Sequence, residues 1–163
     1  MRISTRQLAF AGLFTALAFV LRLLSFTTLD YRFTFDDIAI MASGIFFGPW
    51  IGMLVGFSAD ALYALYAGFP LGLFTVASMS WGLVAGLLLH KNDANVIRFS
   101  LAVIVTSIVA FGLSTLALFQ LFNTGIIAGL LPRVLTLVFK WPLQVSILWI
   151  LLDRTKNLVF TDD

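Results

Sequence analysis

The chain has 163 residues, 61% of them hydrophobic and 11% charged, with a formal net charge of +2 and a mean hydropathy of +1.04. So little polar surface excludes a water-soluble globular unit, and the lack of a clustered basic face excludes a nucleic-acid binder. Neither cysteine nor glutamate occurs, which removes disulfides, thiol catalysis and cysteine metal ligands and leaves aspartate as the whole side-chain acid.

Residues 61–90 and 99–132 carry no formal charge. Apolar runs of about 18 residues or more read as membrane helices. Six segments reach or approach that length. They predict an all-α integral membrane protein, a six-transmembrane-helix bundle forming one transmembrane domain over residues 1–163. Met1 to Arg6 with the apolar run behind it looks superficially like a signal peptide. The run Leu8 to Leu24 is longer than a signal core and lacks a small-x-small exit, so it is expected to be a retained first helix.

A polar outer loop is expected from Ser25 to Asp37, carrying Asp30, Arg32, Asp36 and Asp37. The second segment, Ile38 to Phe47, stops at Gly48-Pro49, where proline cannot donate a helix hydrogen bond. Trp50 to Ala67 forms the third, closed by Gly68-Phe69-Pro70, and Leu71 to Leu89 the fourth, ending at His90-Lys91-Asn92-Asp93. Phe99 to Leu121 and Arg133 to Leu152 complete the six, joined by an apolar connection from Phe122 to Pro132. With six spans, Arg2, Arg6, Lys91, Arg98, Arg154 and Lys156 share one side, against Arg32 and Arg133 with Arg22 near a helix end. The positive-inside rule then places both termini in the cytoplasm.

Asp60 in the third span and Lys140 in the sixth require a partner, because a lone charge in the bilayer costs at least a few kcal/mol. Either they form a structural ion pair or they line a polar substrate cavity. Arg133, at the outer mouth of the sixth span, either snorkels to lipid phosphate or clamps a carboxylate bidentately. Arg32, Asp36 and Asp37 lie beside Tyr31, Phe33 and Phe35, a mixture that suits either solvated loop charges or a lid over a flat ligand.

Small residues recur at four-residue spacing. Ala11 with Thr15 and Gly12 with Ala16 do so on the first helix, Gly44, Gly48, Gly52 and Gly56 across the second and third, and Gly82 with Gly86 on the fourth. Such spacing lets helices approach closely in a membrane. Catalytic constellations are missing. Only Asp60 lies deep in a span, the sole histidine is His90 at a membrane edge, and no phosphate-binding glycine loop occurs. The chain is not expected to be an enzyme or to hold a metal.

The run Ala39 to Asp60, with Ile45-Phe46-Phe47-Gly48-Pro49-Trp50-Ile51-Gly52 and Gly56-Phe57-Ser58-Ala59-Asp60, resembles the substrate-binding S component of energy-coupling factor (ECF) vitamin transporters. The resemblance continues through Phe69-Pro70, Phe74-Thr75, Leu131-Pro132-Arg133 and Pro142-Leu143-Gln144, and spans about Arg32 to Arg154. The terminal Pro-Arg and Pro-x-Gln pieces look most like the folate-specific members. Where those members often carry an Asn-Thr pair with a nearby Trp in the fifth helix, this chain has Ser114-Thr115 and Ala117.

The resemblance implies a six-helix bundle of the S-component type, multi-pass in a prokaryotic cell membrane, with an outward-facing vitamin site capped by the first outer loop. It implies docking on a transmembrane coupling protein (EcfT) with two ABC-type ATPases, through the first helix at Ala11, Gly12, Thr15 and Ala16. ATP and magnesium would be bound by those partners, and no cofactor by this chain. For folate, the pteridine donors would meet Asp36, Asp37 or Asp60, and the ring would lie against Phe33, Tyr63, Phe69 or Phe74. The glutamate tail would meet Arg133, Arg32 or Lys140, with Thr75, Ser78 and Gln144 as neutral partners. The competing expectations are the same scaffold for another vitamin, such as pantothenate, and a non-transporting membrane scaffold that binds partner helices.

Overall fold

Helices α1 (Thr5–Leu23), α2 (Asp36–Phe47), α3 (Pro49–Ala67), α4 (Leu73–Leu89), α5 (Val96–Phe122) and α6 (Leu130–Val159) make up the bundle. The structure is a computed structural model that describes residues 5–28, 31–91, 95–122 and 130–159. Between α1 and α2, strands β1 (Phe26–Thr28) and β2 (Tyr31–Phe33) pair antiparallel, with Phe26 opposite Phe33, Thr27 opposite Arg32 and Thr28 opposite Tyr31. The sequence reading took this stretch as loop. Its aromatic and β-branched residues favour extended backbone, which explains the hairpin. Most of the Phe122–Pro132 connection lies outside the described residues.

Helix α2 is the axis of the bundle. It begins at Asp36, two residues earlier than the hydrophobic pattern indicated, and every residue from Asp36 to Phe46 is buried. Acidic side chains are favoured in a first helical turn, because the exposed N–H groups there carry partial positive charge. Helices α1, α3, α4 and α6 all pack on α2, while α5 closes the bundle against α4 and α6. The core centres on Met41, Ile45, Phe99, Val103 and Leu148, with Phe99 and Trp149 meeting edge to face at 5.4 Å.

The expected break at Gly48-Pro49 is present. Gly48 ends α2 at φ +96°, a value that disfavours any side chain, and Pro49 starts α3 in the first-turn position where its missing N–H costs nothing. The chain thereby folds back and brings the glycine row of α2 and α3 against α4. A Cβ on Gly44 or Gly52 would overlap the Gly82 backbone, and one on Gly82 would overlap the carbonyl of Gly52. Three helices therefore meet at backbone contact, as small-residue rows in membranes allow. At the far end of α4, His90 Nδ1 lies 2.9 Å from the Ile45 carbonyl and ties the α4 terminus to α2.

Among the described residues, four helices are long and apolar enough to cross a membrane: α1, α3, α5 (over Val96–Gln120) and α6 (over Arg133–Arg154). α4 is a shorter apolar helix. α2, with 12 residues, reaches about 18 Å at 1.5 Å per residue.

Candidate binding site

Bundle helices with apolar faces leave few positions for charge, and the charges that are present converge. Arg22, one residue from the end of α1, points its guanidinium into the bundle. Nε and Nη2 lie 2.7 and 2.5 Å from Asp36 Oδ2 at the start of α2, and Nη1 lies 2.5 Å from Asp60 Oδ1 on α3. Nη2 also donates to Ser78 Oγ on α4 at 2.6 Å. The same guanidinium sits 5.6 Å from the centre of the Tyr63 ring. One side chain thus holds α1, α2, α3 and α4 together, using the rigid fork that a lysine lacks.

The neighbouring residue Asp37 organises the other half. Lys140 Nζ on α6 lies 2.5 Å from Asp37 Oδ2 and also donates to the Thr34 carbonyl at 2.5 Å. Gln144, fully buried one turn further along α6, donates to the same Asp37 oxygen at 2.6 Å. Its carbonyl oxygen accepts from Ser107 of α5 at 3.3 Å. Asp37 Oδ1 takes the backbone N–H of Ile38 at 3.0 Å. Consecutive aspartates at one helix start therefore serve opposite sides of the bundle, Asp36 toward α1 and Asp37 toward α6.

The five charged side chains are at most 13% exposed. Removing them from water costs several kcal/mol per ion, recovered only by close pairing and hydrogen bonds. The group holds three carboxylates, Asp36, Asp37 and Asp60, against the two cations Arg22 and Lys140.

The pairing differs from the expectation of an Asp60–Lys140 bridge. Asp60 takes Arg22 and Lys140 takes Asp37, because α2 lies between α3 and α6 and supplies an aspartate to each side. Asp36 and Asp37 are buried at 4% and 3% exposure, rather than standing in an outer loop. Arg22, read from the sequence as a helix-end charge, was missed as a member of the cluster. The available signal was its place inside an apolar span, where an ionisable residue calls for a partner.

Of the other expected site residues, Ser78, Tyr63 and Gln144 join the cluster. Arg133 donates to Thr115 at 3.2 Å, with its guanidinium 5.1 Å from the Phe111 ring centre. Thr75 accepts the Gly72 N–H at 3.2 Å and caps α4. Phe69 and Phe74 stand on the surface near the α3–α4 turn. Arg32 and Phe33 lie on β2, their side chains outside the described residues. On α1, Gly12 and Ala16 face outward, and a Cβ on Gly12 would meet open space, while Ala11 packs against the core. An open cleft of about 450 Å³ lies among α1, α2 and α6, lined by Phe14, Leu17, Leu21, Ile38, Leu143 and Ile147 among others, all apolar. A polar ligand has no partner in that cleft.

The model for the family "ECF transporter, substrate-specific component" matches residues 6–152. Among solved structures, a crystal structure of FolT bound with folic acid superposes with a TM-score of 0.83, covering 93% of this chain and 95% of that one at 22% identity. No curated protein matches the sequence.

Proposed function

Because the chain belongs to the substrate-specific components of ECF transporters, we propose that it captures folate or a closely related vitamin outside the cell. It then delivers this cargo to a transmembrane coupling protein carrying two ABC-type ATPases. All six helices lie in the membrane and both termini face the cytoplasm, the orientation favoured by the positive residues of the termini and of the Lys91–Arg98 connection.

The observation that carries this reading is the convergence of Asp36, Asp37, Asp60, Arg22, Lys140, Ser78 and Gln144 in an otherwise apolar bundle. Polar groups inside a membrane are costly and mark substrate paths. A folate offers matching chemistry. Its aminopyrimidinone edge presents paired N–H donors to a carboxylate, with Asp37 the first choice and Asp36 or Asp60 the others. Its flat ring suits the half-buried Tyr63 face, and Phe33, Phe69 and Phe74 are further ring partners. Its anionic tail suits Arg133, with Arg32 as a second contact and Lys140 as a deeper one.

After capture, the loaded subunit docks through the small residues of α1, centred on the outward Gly12 and Ala16 and flanked by the half-buried Ala11 and Thr15. Hydrolysis of ATP in the partner subunits drives its reorientation in the membrane and the inward release of the vitamin.

The test is mass spectrometry of the small molecule released on denaturing the detergent-purified protein, followed by titration of the emptied protein with folic acid. Folic acid or a reduced folate is expected. Recovery of pantothenate would keep the transporter reading and reject folate. A protein that binds neither would favour a membrane scaffold.

A further inference from the structure

Among the described residues, one buried side-chain polar atom has no hydrogen-bond partner, the indole Nε1 of Trp141 on α6. Such orphans are rare in native structures, and each costs about 1–3 kcal/mol. The cost is harder to escape in a bilayer, where bulk water does not reach to supply an acceptor. Trp141 lies about 16 Å along α6 from Leu130, at 1.5 Å per residue.

Its position on the helix decides what the orphan is for. Trp141 directly follows Lys140 and precedes Gln144 by three residues, and both neighbours reach Asp37. At 100° per residue, Trp141 and Gln144 share one face. Gln144 meets Ser107 on α5, and Arg133, about two turns earlier on α6, meets Thr115 on α5. Trp141 therefore occupies the level of the polar cluster itself, between Lys140 and Gln144, about two turns along α6 from Arg133. These are the two places to which the vitamin reading assigns the ring edge and the anionic tail.

We propose that the Trp141 indole N–H is a substrate-binding donor, taking a carbonyl oxygen or ring nitrogen of the vitamin at the end where the ring edge meets the cluster. The inference rests on the vitamin-binding reading and adds a residue to it. An unpaired donor gains a hydrogen bond on binding without breaking one. It also discriminates against ligands that present a donor or a bare methylene at that point, because the N–H then stays unpaired.

Full-length protein carrying ¹⁵N-indole tryptophan, emptied of ligand in detergent, tests this with folic acid and pantothenate as probes. The four tryptophans give four indole N–H signals, assigned by the Trp50→Phe, Trp81→Phe and Trp149→Phe variants. This leaves Trp141 identified even if its own variant fails to fold. The Trp141 proton is expected to move downfield on saturation, and Trp141→Phe to weaken binding about five- to tenfold, the yield of one neutral hydrogen bond. An unmoved Trp141 signal in protein that binds a probe overturns this inference and leaves the vitamin reading standing. Wild-type protein that binds neither probe overturns both.

Discussion

Lys140 and Asp37 meet at 2.5 Å although 103 residues separate them in the chain. Their contact is where α6, the last helix, is fastened to α2, the axis of the bundle. Removing Lys140 alone leaves Asp37 buried with only the neutral donors of Gln144 and the Ile38 N–H. Lys140→Met is therefore expected to cost about 3–5 kcal/mol, with much of the loss recovered by adding Asp37→Asn. Thermal unfolding of the four proteins of this cycle in detergent measures the coupling. Equal and additive losses would show that the pair is not a unit.

Arg22 serves two carboxylates and a serine with one planar fork. A lysine keeps the charge but reaches fewer of these acceptors. Arg22→Lys is expected to lose about half of the stability that Arg22→Met loses, and folic acid binding with it. If Arg22→Lys matches wild type in melting temperature, the fork geometry is irrelevant and only the charge counts.

The glycine row makes a sharper claim because backbone atoms cannot step aside. Gly82→Ala drives a methyl group into the Gly52 carbonyl and is expected to destabilise by at least about 1–3 kcal/mol. Gly12→Ala places the same methyl in open space and is expected to leave the melting temperature unchanged. Equal behaviour of the two variants would contradict the close approach of α3 and α4.

Docking and binding are separable if α1 presents its small residues to a coupling protein. Gly12→Leu and Ala16→Leu are expected to keep folic acid affinity within about twofold of wild type while abolishing uptake in cells that supply the coupling complex. A loss of affinity in both variants would show that this face acts on the binding site and is no separate docking surface.

Arg133 touches a threonine and an aromatic ring on α5. Arg133→Ala removes the contacts to Thr115 and Phe111. It is expected to weaken folic acid binding about tenfold or more, as loss of a charge-assisted contact to an anionic tail would. Unchanged affinity in an isothermal titration would remove Arg133 from the site.

Membrane character, the helical segments and the Gly48-Pro49 break followed from the sequence because they depend on local properties. Apolar run length, the fixed φ of proline and the permissive φ of glycine act within a few residues. Ser78, Tyr63 and Gln144 stood out as polar or amphipathic side chains in apolar spans, and the structure brings them to the charged cluster. The partners of the charges were not legible. Asp60 and Lys140 invited pairing by depth alone, yet α2 inserts between their helices and offers Asp36 to Arg22 and Asp37 to Lys140. Which side each of two adjacent aspartates serves depends on helix rotation and on which helices are neighbours, and both arise from contacts between segments far apart in the chain, such as the backbone contact of Gly44 and Gly52 with Gly82. Charge content was written into the sequence; its pairing, and the unpaired N–H of Trp141, were decided only when the six helices packed.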